Sequence, residues 1–437
     1  MDRDIKGTFI KYVALNVLGM AGLSCYILAD TFFIARAMGA EGLAALNFSI
    51  SIYSIIHGIG LMVGIGGATR FCILKARCRH KRADIAFAES FRLGLSAGTI
   101  LAGIGLFASY QLASMLGADS STLPMTTTYL RTILCFAPFF ISNNILIAFA
   151  RNDSAPRLSM AAMLAGSLSN IILDYIFIFP LDMGMFGAAF ATGLAPIISM
   201  GILSFHFFKR KNNFVFMSRK VSFSSVLDIL TLGLSAFVTE LSSAVALITF
   251  NLVILGLKGN SGVAAYGIVA NLALVAISIF TGIAQGSQPL VSCGHGANDR
   301  KVTQKIRRYA LVTSLFAAFV IYFGTFVYSE GIVTLFNSQN DPVIAEMAER
   351  GIRLYFIGFF FAGINVTAAM FFSACENSGF AFIISIARGC IVIVPLLIVL
   401  SRLTGMTGVW LSFVITEFFV TLVALYMAGS KKRYLSH

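Results

Sequence analysis

Long apolar runs separated by short polar stretches recur from near Tyr12 to near Gly429. A bilayer core of about 30 Å needs roughly 20 residues of helix per crossing. Runs of that length predict twelve spans, near 12–35, 44–70, 90–113, 128–150, 158–180, 187–208, 224–256, 263–292, 309–329, 352–374, 380–401 and 408–429. The longest of them leave room for tilt or an amphipathic lead-in. The polar stretches are too short for a soluble catalytic domain, so the pattern predicts an all-α polytopic membrane protein.

The hydrophobic pattern also repeats at an offset of about 220 residues. Gly39-Ala40-Glu41-Gly42-Leu43-Ala44-Ala45 answers Gly259-Asn260-Ser261-Gly262-Val263-Ala264-Ala265, and Gly60 and Gly64 answer Gly282 and Gly286. Asn143 answers Asn365, and Gly184-Met185-Phe186-Gly187 answers Gly405-Met406-Thr407-Gly408. Glycine is common in membrane helices, but several matches in the same order are not chance. Each repeat holds six spans, an even number, so the two enter the membrane in the same orientation as parallel repeats. The expected division places a first six-helix bundle at 1–215 and a second at 216–437, joined by the basic loop from Lys209-Arg210-Lys211 to Arg219-Lys220.

Composition agrees with this picture: mean hydropathy is +0.86 and only 12% of residues are charged, against about 25% in soluble domains. The formal charge of +13 points to the membrane surface rather than to nucleic acid, because Lys and Arg alternate between loops. The N-terminus, the 70–92 region, Arg151 with Arg157, the 209–220 and 300–308 loops and the tail Lys431-Lys432-Arg433 are basic. Opposite loops are poor in basic residues, so the positive-inside rule expects both termini in the cytoplasm. The opening residues lack a cleavable signal pattern, so the first span is expected to be retained. Seven scattered cysteines predict neither a disulfide framework nor a zinc site.

Few charges lie deep within the spans, away from their ends: Asp30, Asp174, Glu240, Glu417 and Arg388. A charge at membrane depth is costly enough to be functional by default. An apolar surrounding penalises the charged carboxylate, so such acids can exchange a proton, hold Na⁺ or hold a cationic substrate. Asn170 precedes Asp174 by four residues and shares its helix face. Thr192 in the next span can add a hydroxyl, and Asp30 joins them if the first and fifth spans meet. Glu240 is the second half's candidate for substrate or cation binding, whereas Glu417 pairs with Arg388 as a structural group. Gln285 and Gln288-Pro289 lie in the eighth span, where proline invites a kink. They and His57, a pore-lining candidate, complete the substrate-binding or coupling set. The repeat sets Pro395 opposite Asp174 and Ile391 opposite Asn170, so a cation site is expected in the first half only.

No Walker-type phosphate loop, nucleophile elbow or zinc-protease motif occurs, so neither ATP hydrolysis nor an enzyme is expected. Gly64-Ile65-Gly66-Gly67 suits close helix packing.

Together these segments resemble the multidrug and toxic compound extrusion (MATE) family of secondary transporters. The likeness is carried by Ala29-Asp30-Thr31-Phe32-Phe33, Gly39 to Ala45, Asn170-Ile171-Ile172-Leu173-Asp174, Gly187-Ala188-Ala189-Phe190-Ala191-Thr192, Gln288-Pro289-Leu290 and Gly408-Val409-Trp410. It implies two six-helix bundles in a V around a central cavity and export of hydrophobic organic cations or drugs by antiport against H⁺ or Na⁺. No other cofactor is implied, and the expected state is a monomer in the lipid bilayer. By position, Asp30, Asn170, Asp174 and Thr192 match the family's cation site. Glu240 resembles the second-half acid of the NorM-type branch, but the tenth span lacks that acid's aspartate companion, which favours a DinF-like branch. The rival readings are a lipid-linked oligosaccharide flippase and, from another class, a channel or membrane sensor.

Overall fold

A computed structural model describes residues 4–208, 212–217, 222–336 and 341–434. Arg3, Lys209-Arg210-Lys211 and Arg219-Lys220, which contribute to the expected charge pattern and linker, lie outside the described residues. Six helical segments fill the first half: α1 (Ile5–Ala76), α2 (His80–Met115), α3 (Leu123–Cys135), α4 (Ala137–Asn152), α5 (Pro156–Ile178) and α6 (Gly184–Phe208). In the second half lie α7 (Phe223–Gly296), α8 (Arg300–Val327), α9 (Ser329–Phe336), α10 (Pro342–Tyr355), α11 (Phe359–Ala374), α12 (Ser378–Ile386), α13 (Ile393–Thr404) and α14 (Met406–Tyr434).

These segments supply twelve crossings. Helices α1 and α7 run for 72 and 74 residues, too long for one bilayer, and each turns back at one glycine. Gly39 has φ 60° and Gly259 has φ 62°, a left-handed conformation with ψ near −150° that only glycine enters freely. Helices α3 and α4 meet at 49° and together form one bent span. A 3₁₀ turn joins α10 to α11, and a π turn (Ala387–Ile391) joins α12 to α13. The helical parts begin earlier than hydropathy alone sets them: α2 starts at His80 and α10 at Pro342. Their polar first turns lie outside any apolar window.

The repeat reappears in the backbone. Besides Gly39 and Gly259, positive φ recurs at Cys78 and Asn298, at Ser154 and Glu376, and at Gly184 and Gly405. Each pair is separated by the repeat offset. Tight turns therefore sit at the same places in both halves.

Two large apolar cores follow among the described residues. One joins α1 to α2, α3, α4 and α6 around Phe71, Phe87, Ile141 and Phe149. The other joins α7 to α8, α10, α11, α13 and α14 around Phe280, Phe359, Leu397 and Trp410. Phe107, Phe316, Phe323 and Tyr426 stand exposed on the outside, where lipid would solvate them.

The halves meet mainly through α1 and α7. A Cβ on Gly66 would strike the Ile229 carbonyl, and one on Gly233 the Met62 carbonyl. Gly282 and Gly286 pack likewise against the backbone of Val17 and Val13. Glycines thus bring the halves into backbone contact at two related seams, as close-packing membrane helices require. Helix α7 continues through Pro289; its break is at Gly259, not at the proline.

Cys72 and Cys293 are joined by a disulfide across the halves, with Cα atoms 5.4 Å apart. This corrects the expectation that the cysteines form no disulfide. The two are 221 residues apart, the repeat offset, and equivalent positions near a two-fold axis meet.

Candidate functional site

Between the halves lies a cavity of about 360 Å³ whose lining includes Asp30, Tyr53, Glu240, Tyr266, Arg388 and Glu417. It lies toward the Gly39 and Gly259 turns. On α1, for example, Ser54 lines it while Cys72 lies 18 residues further along, about 27 Å of helix away.

Asp30 projects from the first limb of α1 and Asp174 from α5, and both are buried. Asn170, one turn before Asp174, contacts Thr192 Oγ1 at 3.3 Å. With its amide nitrogen turned to the carboxylate, it donates to Asp174 Oδ2 at 3.0 Å and accepts from Thr192 N at 3.3 Å. Thr192 Oγ1 donates to the Ala188 carbonyl at 3.0 Å. Oδ1 of Asp30 and Oδ1 of Asp174 are buried without a hydrogen-bond partner. Leaving a buried oxygen unpaired is costly, so these two atoms fit a proton or a small cation. Asp30 and Thr192 line the cavity, whereas Asn170 and Asp174 lie behind its wall, fully buried.

The second half presents a different wall. Phe250 stands 220 residues beyond Asp30, and Phe413 stands 221 beyond Thr192. Phe250 stacks on Tyr266 at 5.2 Å, and Tyr355 stacks on Phe413 at 4.2 Å. Arg388, on the π turn, donates through Nε and Nη2 to Glu417 Oε1 at 3.0 and 2.7 Å. Asn365 Nδ2 holds Glu417 Oε2 at 2.7 Å. The expected Arg388–Glu417 pair is therefore present, and both residues also face the cavity.

Glu240 borders the cavity from α7, and His57 Nδ1 lies 3.4 Å from its Oε1, within ion-pair range but not aligned as a hydrogen bond. The His57 ring stacks on Tyr53 at 6.0 Å, and Tyr53 Oη meets Tyr26 Oη at 2.9 Å. Gln285 and Gln288 are not brought to the cavity. They lie in the seam between the halves, where Arg151 Nη1 donates to Asn16 Oδ1 at 2.8 Å and Gln285 Oε1 at 3.2 Å. Gln288 bonds Thr69 at 2.8 Å and Asn152 at 3.0 Å. Arg151, expected in a basic loop, is buried at 2% exposure because its guanidinium bridges α1 and α7. The Tyr26–Tyr53 contact and the buried Arg151 carry no signal in the sequence, since both depend on which helices meet.

The MatE family profile matches residues 17–176 and 235–399, one segment in each half. The chain is 29% identical over 403 residues to the multidrug export protein MepA of Staphylococcus saprophyticus, covering 92% of this chain and 88% of that one. It is 28% identical to MepA of Staphylococcus aureus over 404 residues, with the same coverage. Among solved structures, an outward-facing multidrug resistance MATE family transporter of the MOP superfamily superposes with a TM-score of 0.93 at 22% identity, over 99% of this chain and 97% of that one. A MOP superfamily transporter from Pyrococcus furiosus, described as having a binding pocket of reversed polarity, gives 0.92 at 23% identity over 100% and 97%.

Proposed function

This chain belongs to the MatE family, and from that premise we propose that it exports hydrophobic organic cations or drugs through a bacterial inner membrane in exchange for H⁺ or Na⁺. The moving units are residues 1–215 and 216–437, both termini are cytoplasmic, and the chain acts as a monomer. The reading is supported above all by the two unpartnered carboxylate oxygens of Asp30 and Asp174 beside an interhalf cavity. Asn170 and Thr192 complete the ion-binding group, and its place in the first half is the trait of the DinF-like branch. Glu240, with His57 beside it, faces the cavity as a counter-charge for substrate. Gln285 and Gln288 act in coupling, through the seam that must part.

The mechanism follows from differential affinity. A cation and a drug exchange only if they favour different states of the two halves. Drug binds while Asp30 and Asp174 are free to accept a cation. Loading these carboxylates neutralises the charge of Asp30 at the cavity wall and of Asp174 behind it and releases the drug. A potential of 100 mV supplies about 2.3 kcal/mol per net charge moved inward, somewhat under a fiftyfold gradient of drug, so export of a monovalent cation draws on it only when more than one coupling cation enters. The basic seam, closed here by Arg151, Gln288 and the Cys72–Cys293 link, marks the cytoplasmic end under the positive-inside rule. The cavity on its other side accords with an outward-facing state.

In proteoliposomes, Asp174→Asn is expected to abolish drug-evoked cation movement. Wild-type coupling by that variant would sink the proposal. In everted vesicles, efflux stopping when only one of the two gradients is collapsed identifies the coupling ion.

A further inference from the structure

Resting on the efflux reading above, we propose that Arg388 is an anion-recognising residue of the substrate cavity. The cavity then prefers amphipathic zwitterions, aromatic bodies with both a cationic nitrogen and a carboxylate, over plain organic cations. Arg388 is the one basic side chain among the described residues lining the cavity. Asp30, Glu240 and Glu417 are the acids on the same surface. The guanidinium spends only one edge on the protein: Nε and Nη2 both go to Glu417 Oε1. Nη1 has no hydrogen bond to the protein among the described residues. Guanidinium presents five N–H donors in a planar fork suited to carboxylates, so the Nη1 edge remains for a ligand.

The local backbone serves this placement. The π turn from Ala387 to Ile391 widens the helix by one residue, a distortion frequent at functional sites. Next to Arg388, Gly389 meets the Ser242 side chain so closely that a Cβ there would overlap it. The turn is thus pressed against α7, and Arg388 stands at the cavity edge instead of facing lipid. Glu417 Oε2 is fixed by Asn365, so the guanidinium is oriented before any ligand arrives. Around it the stacked pairs Phe250–Tyr266 and Tyr355–Phe413 offer flat apolar surfaces. A neutral Arg–Glu pair within the helices would need no cavity beside it; this one borders the cavity.

A zwitterion suits the charge arrangement. Its carboxylate takes the free guanidinium edge and its ammonium takes Glu240 or Asp30, so it adds no net charge to an apolar cleft. A plain cation leaves the Arg388 edge unpaired.

Rhodamine B and its ethyl ester make the test, because the two dyes differ only in carboxylate against ester. Efflux of each is followed in everted vesicles carrying the full-length protein, and binding is followed by fluorescence with the purified protein. Wild type is expected to bind rhodamine B about tenfold more tightly than the ester, as one hydrogen bond to a charged group provides. Arg388→Gln is expected to bring the ratio of acid to ester binding to about one, and Arg388→Lys to restore part of the preference. Wild-type binding of the ester as tight as that of the acid overturns the inference without any variant. An acid-to-ester ratio that stays near tenfold in Arg388→Gln also overturns it, leaving Arg388 as a partner for Glu417. Export of the ester without preference for the acid leaves the efflux reading standing, whereas export of neither dye overturns both.

Discussion

Asp30, Asp174 and Glu417 are three buried acids in the same kind of apolar helix, and their partners set them apart. Both carboxylate oxygens of Glu417 are engaged, by Arg388 and Asn365; Asp30 and Asp174 each keep an oxygen unpaired. Removing one member of a buried, hydrogen-bonded ion pair costs about 3–5 kcal/mol. Glu417→Leu should therefore lower the thermal stability of the detergent-solubilised protein markedly. Asp30→Asn should leave stability unchanged or raised while abolishing coupled transport. Melting curves read beside proteoliposome flux check the contrast, and an equal loss of stability in both variants would refute it. The acids themselves are legible in the sequence because each interrupts an apolar run, where a charge is expensive. Asn170 is legible through its spacing to Asp174. The division of labour is not, since it rests on contacts between helices far apart in the chain. Arg151 is misread for the same reason: it ends an apolar run, and only the other half of the molecule buries it.

At the scale of elements, α1 and α7, of 72 and 74 residues, are matched hairpins with a glycine at each tip and glycines where the halves touch. Gly66→Ala and Gly233→Ala should prevent the seam from closing, because the new methyl meets backbone, which cannot rotate away. Gly256→Ala, where a Cβ meets nothing within 4 Å, is the control. Efflux assays with all three variants decide this: loss is expected in the first two only. The number of spans, their order and the Gly39–Gly259 correspondence are legible from hydropathy and the repeat. The π turn carrying Arg388 is not, because the chain around it is apolar at nearly every position and has no stripe whose phase an extra residue would shift. Nor is the 49° bend between α3 and α4 visible as more than Pro138 near the middle of one apolar run.

For the whole molecule, the seam joining the halves is the part that alternating access must break. An oxidised Cys72–Cys293 bond would hold it shut, so an oxidant should stop efflux in wild type, a reductant should restore it, and Cys293→Ser should be immune. Full activity of the oxidised wild type would show that the seam need not part. Acid loosens the same end by another route. The hydrogen bond from His295, with Arg77 beside it, holds the Glu376 carboxyl down at about 2 against an ordinary 4.5. A carboxylate with a depressed folded-state value contributes stability above the unfolded value and loses it as pH falls. The melting temperature of wild type should therefore decline between pH 4.5 and about 2 more steeply than that of Glu376→Gln. The glycine tips have a further use. Ala40 and Asn260 follow them directly, both exposed, at matched places on the two halves. A spin label on each would form a native ruler across the molecule, in which a distribution of distances reports how the population divides between open and closed states during turnover.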